Sequence, residues 1–132
     1  MASPTATGER AYRGFTLIEL LVVLSVIALM LTIAVPKYFA SLDRAKEAVL
    51  REDLNQMREA IQRYQGDKGK YPETLEALAA EKYLRKLPVD PITESAESWI
   101  IIPPEDPLKG GVYDVKSGAA GNGQDGKPYA EW

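Results

Sequence analysis

The sequence contains neither cysteine nor histidine among its 132 residues. Without cysteine it can form no disulfide framework and no thiolate metal site. Without histidine it lacks the commonest general base and the commonest ligand for transition metals. Carboxylates alone could serve an enzyme, but no pair of them is placed as an active site requires, so we do not expect the protein to be an enzyme.

Net charge is also small, because acidic and basic residues nearly balance. The formal net charge is −3, and no block of basic residues interrupts the sequence. A nucleic-acid partner is therefore not expected, because such partners select for a basic stripe or patch. The length allows one compact domain at most.

A long hydrophobic run is present, from Phe15 to Val35, and its one charged residue is Glu19. At about 1.5 Å per residue the run would span roughly 31 Å, which is close to the hydrocarbon thickness of a bilayer. The sequence therefore predicts a single transmembrane helix. Arg10 and Arg13 precede the run, which favours an N-terminus in the cytoplasm.

Two simpler interpretations of this run leave Glu19 unexplained. A cleaved secretory signal would be shorter, and the following "AVPKYFA" is a poor site for signal peptidase. A plain anchor would not carry an acid that costs several kcal/mol in lipid unless it reaches the interface, finds a cation or takes a proton. If the chain were cut before Phe15, the new α-amino group of a neighbouring copy could supply that cation.

The stretch "RGFTLIEL", residues 13–20, resembles the processing site of the type IV pilin and pseudopilin family. The resemblance implies that residues 1–14 are a leader peptide that prepilin peptidase removes. Cleavage would fall between Gly14 and Phe15, and the same enzyme would N-methylate Phe15.

The same resemblance implies roles for two residues of the helix. Glu19 matches the acid that guides assembly in this family, by pairing with the Phe15 amine of a neighbouring subunit. Pro36 matches a proline at which the helix loosens in family filaments, and a proline inside a helix also lacks the N–H that would continue the ladder. Residues 15–36 are thus predicted to be the transmembrane and assembly half of the helix.

Residues 37–66 are predicted to be an amphipathic continuation of the helix, ended by Gly66 and Gly69. Glu47–Arg51 and Glu59–Arg63 are spaced as i,i+4 ion pairs on its solvated face. Apolar residues recur in steps of mostly three and four at Phe39, Leu42, Ala45, Val49, Leu50, Leu54, Met57, Ile61 and Tyr64.

The remaining residues, 67–132, are predicted to form a periplasmic head domain with a small antiparallel sheet. The predicted fold class is therefore α+β, with a long N-terminal helix packed on that sheet, as in type IV pilins. A disordered C-terminal tail is the alternative to an ordered one, because the tail is rich in glycine. The predicted elements are a short helix within Pro72–Tyr83, strands at Ser98–Ile102 and Gly111–Val115, and a loop that returns Tyr129 and Trp132 to the sheet.

The head also resembles one branch of the family, the major pseudopilins of type II secretion. The matching stretches are "KYP" (70–72), "YLRKLPVDPIT" (83–93), "YDVKSG" (113–118) and Trp132. The resemblance implies a homo-oligomeric helical filament in the periplasm, anchored first in the inner membrane, that drives export of folded proteins. It also implies three partners: prepilin peptidase, the inner-membrane assembly platform and minor pseudopilins.

The alternative is a type IV pilus pilin used for adhesion, twitching motility or DNA uptake. Many such pilins carry a C-terminal disulfide loop, which this chain cannot form without cysteine. A minor pilin at the filament tip and an enzyme anchored by one helix are further possibilities.

The pseudopilin branch also implies a structural Ca²⁺ ion in the C-terminal loop. Calcium takes six to eight oxygens, usually including several carboxylates. The candidates are Asp125, main-chain carbonyls near Ser117, and Glu131, while Ala120 stands where the branch usually has an acid. The calcium site that the resemblance implies would therefore centre on Asp125, and the alternative is a loop held by glycine and proline turns alone.

Overall fold

The computed structural model describes residues 2–3 and 14–132. It divides into two compact units, Met1–Phe39 and Ala40–Trp132. The architecture is α+β, as the sequence predicts. In chain order the elements are α1 (Leu17–Lys68), α2 (Leu75–Ala80), β1 (Ile100–Ile102), a 3₁₀ turn (Pro107–Lys109), β2 (Asp114–Lys116) and a second 3₁₀ turn (Tyr129–Glu131).

Helix α1 is 52 residues long and ends two residues later than predicted. Gly66 lies within it, and the helix stops before Gly69, which has a positive φ of 72°. The amide of Gly69 donates to the carbonyl of Gln65 at 2.8 Å, closing the last turn. Glycine at this position takes the left-handed conformation without a steric penalty.

The helix continues through Pro36 without a break in its α-helical assignment. The single chain therefore has no break at this residue, although proline removes one donor from the ladder. The loosening at Pro36 that the family resemblance implies concerns assembled filaments, and it stays a prediction.

In the second unit, one face of α1 supplies half of the core. Its fully buried residues follow steps of three and four from Leu50 through Leu54 and Met57 to Ile61. Of the predicted stripe, Phe39, Leu42, Ala45 and Val49 are instead exposed. The buried face thus begins near residue 47, and Val49 lies off that face. The partners of this face are Leu75 and Leu78 of α2, Trp99, Val112, Val115, Ala119 and Tyr129.

The sheet has two antiparallel strands, with Ile101 of β1 opposite Val115 of β2. Both strands begin later than predicted. The reason for β2 is that the amides of Gly111 and Val112 donate to the carbonyl of Pro72, at 3.1 and 2.8 Å, rather than to β1. A Cβ at Gly111 would lie 2.4 Å from the carbonyl oxygen of Glu73, so only glycine permits this approach.

A buried carboxylate shapes the loop before β1. Asp90 is fully buried, accepts hydrogen bonds from the amide of Ile92 at 2.8 Å and from the hydroxyl of Ser117 at 2.6 Å, and lies opposite Ser95 in an isolated bridge. Each bond offsets part of the cost of taking the charge out of water. Asp90 thereby connects this loop to the start of the C-terminal segment.

Candidate processing and assembly site

The predicted cleavage position lies just before α1. Gly14 and Phe15 are exposed, and Phe15 retains 85 % of its accessible surface. A Cβ built on Gly14 would meet no atom of the described chain within 4 Å, and the backbone there is not left-handed. The described residues therefore give no steric reason for glycine at this position, as expected if an enzyme rather than the fold selects it. Arg10, Arg13 and most of the predicted leader lie outside the described residues.

Glu19 and Thr16 cap the start of α1 reciprocally. The amide of Glu19 donates to Thr16 Oγ1 at 3.1 Å, and the amide of Thr16 donates to Glu19 Oε2 at 3.4 Å. This arrangement is a capping box, and its acid also faces the positive end of the helix dipole. The spacing Thr-x-x-Glu could have revealed it in the sequence. Glu19 thus has a local partner while its side chain stays exposed.

The hydrophobic run that follows has no protein cover in the described chain. The exposure of its large hydrophobic residues ranges from 85 % at Phe15 to 43 % at Val35. By length and composition, α1 can cross a membrane. The hydroxyls of Ser25 and Thr32 donate to the carbonyls of Leu21 and Ala28, at 2.7 and 2.8 Å. Polar atoms in the run are thereby satisfied within the helix, as lipid requires.

The second cluster of interest joins α1 to the C-terminal loop. Glu47 is 8 % exposed, and its Oε1 accepts hydrogen bonds from the Tyr129 hydroxyl and from the main-chain N–H of Gln124, both at 2.9 Å. The predicted pair of Glu47 with Arg51 does not form, because these loop groups occupy Glu47 instead. The predicted pair Glu59–Arg63 is present at 3.7 Å.

Tyr129 is buried in the core beside this carboxylate. Burial, and then the hydrogen bond to Glu47, raise the pKa of the Tyr129 phenol to about 12. The phenol is therefore a stable donor at neutral pH. Tyr129 meets the ring of Trp132 edge to face, with centroids 5.0 Å apart. The tail is ordered, and its aromatic residues return to α1 as well as to the sheet.

Two arginines of α1 extend the cluster. Arg51 approaches Asp125 at 3.5 Å, and its guanidinium lies 4.4 Å from the centre of the Trp132 ring. Arg58 pairs with Asp114 at 2.9 Å and donates to the main-chain oxygen of Trp132 at 2.5 Å. Asp125, the predicted calcium ligand, therefore lies beside a cation. Among the described residues, no group of three or more carboxylates is placed to hold a metal ion.

Two family models match the sequence over these same regions. The prokaryotic N-terminal methylation motif matches residues 10–35, which include Gly14, Phe15 and Glu19. The model of protein G of the type II secretion system matches residues 37–131. The chain belongs to the protein G family of type II secretion. It is thus a type IV pilin-like pseudopilin, a structural subunit of the secretion pseudopilus, and it is anchored in a membrane.

Individual relatives agree with this family. The type II secretion system core protein G of Pseudomonas aeruginosa is 33 % identical over 63 % of this chain and 70 % of its own length. Core protein G of Klebsiella michiganensis is 28 % identical over 91 % of this chain and 89 % of its own length. The type IV wide pilus major component of Thermus thermophilus is 36 % identical, but over about half of each chain. No solved structure gives a significant match.

Proposed function

We propose that this pseudopilin is cut between Gly14 and Phe15 by prepilin peptidase and then builds a periplasmic filament through Glu19. Hydrolysis of that peptide bond would free the α-amino group of Phe15, which the enzyme then methylates. The chain would be a substrate in this step and would have no catalytic role of its own. Exposure of Gly14 and Phe15 supports such access.

The observation that carries the proposal is the exposed hydrophobic run, residues 15–35, whose one acid lies in the first turn of α1. A lone carboxylate moved from the membrane interface into a packed filament would lose its water. The capping box offsets part of that loss, since the amide of Thr16 donates to the carboxylate, but it supplies no positive charge. The Phe15 ammonium of a neighbouring subunit supplies one, so assembly favours the register that brings the two groups together.

The proposal extends to topology and partners. The N-terminus would stay in the cytoplasm, residues 15–36 would cross the inner membrane, and the second unit would lie in the periplasm. The bare apolar run would then pass from lipid to neighbouring subunits without exposure to water, because both surroundings are apolar. The assembly platform and minor pseudopilins would be the partners in that transfer.

Variants at Glu19 can separate its two roles. Glu19→Gln keeps a side chain that completes a capping box but removes the charge, whereas Glu19→Ala removes both. Thr16→Val is the control that weakens the cap and keeps the acid. We expect all three chains to insert and be cut, and both Glu19 variants to lose filament yield while Thr16→Val retains most of it. Filaments are quantified by pelleting them from cells whose outer membrane has been opened; normal yield from Glu19→Gln would show that Glu19 acts only as a helix cap.

A pilus role is the second candidate, and the match to the wide pilus component of Thermus thermophilus supports it. A strain that lacks this chain distinguishes the two roles. We expect folded exoproteins to accumulate in its periplasm while surface motility stays normal. Loss of motility and surface filaments with normal secretion would establish the pilus role instead.

A further inference from the structure

The C-terminal loop is where the calcium ion implied by the family would lie, so its donor set can be tested. Asp125 is the one aspartate between residues 117 and 132. Its Oδ1 accepts a hydrogen bond from the main-chain N–H of Lys127 at 3.0 Å, and its Oδ2 lies 3.5 Å from the Arg51 guanidinium. One oxygen of this candidate ligand therefore already has a hydrogen-bond donor, and the other a positive charge beside it.

The charge around Asp125 also opposes a dication. A cleft of about 290 Å³ beside it is lined by Arg51, Arg58 and Lys127 against Asp125 and Glu131. The cations thus outnumber the carboxylates, whereas calcium sites in proteins gain affinity from an excess of carboxylates. Even with Arg58 paired to Asp114, the cleft offers a Ca²⁺ ion no excess of negative charge.

The one buried polar side-chain atom without a partner in the described residues is Trp132 Nε1. An indole N–H is a donor only and cannot bind a cation. Trp132 instead fills the space against the loop, since a Cβ on Gly123 would lie 2.3 Å from its ring. The residues present do not fit a calcium ion, because the loop has an aromatic ring and cations where oxygens are needed.

Side chains of α1 hold the C-terminal loop in place through contacts that a metal ion would otherwise provide. Arg44 donates a hydrogen bond to the Gln124 side chain at 3.2 Å, and Glu47 accepts one from the main-chain N–H of Gln124 at 2.9 Å. Arg51 follows one turn later with its contacts to Asp125 and to the Trp132 ring. Because these positions are three and four residues apart, they lie on one face of the helix.

We propose that this helix face, with Arg44, Glu47, Arg51 and Arg58, replaces calcium and fixes the C-terminal loop without any metal ion. The loop would then keep its shape at any calcium concentration. The loop would be held only by groups of the protein itself, so the head would reach its folded conformation without binding calcium. This inference concerns the head alone and is independent of the role proposed for Glu19.

The test is thermal unfolding of the full-length chain in detergent micelles, followed by tryptophan fluorescence in excess EGTA and in millimolar CaCl₂. Wild-type Tm should agree within about 1 °C in the two buffers. A structural ion at about a hundred times its Kd would instead raise Tm by roughly 10 °C or more.

Three variants complete the experiment. Arg51→Ala should lower Tm by about 2–6 °C, equally in both buffers, because an exposed ion pair and a ring contact are lost. Arg63→Ala is the matched control, since Arg63 is an arginine of the same helix with similar exposure that pairs within α1; its Tm should change by less than about 1 °C. Asp125→Asn should lower Tm slightly and equally in both buffers.

A calcium-dependent rise in wild-type Tm that Asp125→Asn abolishes would overturn the proposal and establish the metal site. A drop for Arg51→Ala no larger than that for Arg63→Ala would overturn the role of the helix face. Equal behaviour in EGTA and CaCl₂, with a drop specific to Arg51→Ala, is the result that supports it.

Discussion

The two halves of α1 belong to one continuous helix but differ in how much of their surface the protein buries. Leu24, in the first unit, leaves 54 % of its surface exposed, whereas Leu54, in the second, leaves 1 %. The first half has no protein cover in the described chain, so lipid or other subunits must supply one. The second half buries a single face in its own head. Helical structure is therefore common to both, and the surroundings decide what each half does.

The largest effect should come from Gly14, for which the described residues give no steric requirement. Gly14→Ala should leave almost no cleaved chain, because in the proposed processing the peptidase requires glycine there. The matched control is Gly66→Ala, another glycine with open space around it. That change lies inside α1 and should add about 1 kcal/mol of stability through helix propensity, with normal cleavage. Mass spectrometry of the N-terminus and thermal unfolding measure the two outcomes, and full cleavage of Gly14→Ala would contradict the assigned site.

A leucine pair tests the contrast between the two halves directly. Leu54→Ala should reduce the free energy of unfolding of the head by about 2–5 kcal/mol, because it leaves a cavity in a close-packed core. Leu24→Ala removes the same atoms from an exposed position and should leave that free energy unchanged in detergent. Denaturant unfolding of the full chain measures both, and equal losses would refute the division of the helix.

The Tyr129 hydroxyl should contribute less than a core leucine. Tyr129→Phe should cost about 1–3 kcal/mol, since buried Glu47 loses one of its two donors. Tyr113→Phe, at an exposed tyrosine, is the control and should change stability by less than about 0.5 kcal/mol.

The pH dependence gives a second readout of the same hydroxyl. The folded phenol has a pKa of about 12 against an ordinary 10.0, so the folded state holds this proton more tightly than the unfolded state does. Wild-type stability should be independent of this group below pH 10 and fall between pH 10 and 12. Tyr129→Phe should lack that component; an identical alkaline profile would contradict the assignment.

The smallest effect is expected at Asp53 on α1. Partial burial, followed by the charges of Asp90 and Glu52, raises the pKa of Asp53 above its ordinary 3.8. A raised pKa for an acid means that its charge opposes folding at neutral pH, and that this penalty disappears as the pH falls through the folded pKa. Asp53→Asn should therefore add about a few tenths of a kcal/mol at pH 7, after screening by solvent. The gain should vanish below pH 3.8; a loss at pH 7 would contradict this assignment.

The sequence predicted best where a pattern is local. The helix and its period could be read along the chain, and the N-terminal methylation motif matches residues 10–35. The roles of Gly14, Phe15 and Glu19 stay predictions. The capping box of Thr16 with Glu19 was missed although its spacing is equally local. Burial of Glu47 could not be predicted in this way. Its partners lie 77 and 82 residues away, and the residues next to Glu47, Lys46 and Ala48, do not indicate them.

Strand limits failed for the same kind of reason. Gly111 and Val112 have strand-like neighbours, yet their amides pair with Pro72, in a segment that only the folded chain brings near. The apolar residues Leu42 and Val49 continue the helical pattern but stay exposed, although Glu47 and Leu50 nearby are buried. Periodicity identifies a face, while the length of that face which becomes buried depends on tertiary packing.

The contacts between α1 and the C-terminal loop also set an order of events. Glu47 and Tyr129 are 82 residues apart, and Arg58 and Trp132 are 74 apart. Contacts so distant in sequence form late, since the whole intervening chain must be available first. The ribosome will have made almost all of the head before its core can close. With the periplasmic head proposed above, the chain would cross the membrane before this core forms, and the head would fold only on the far side.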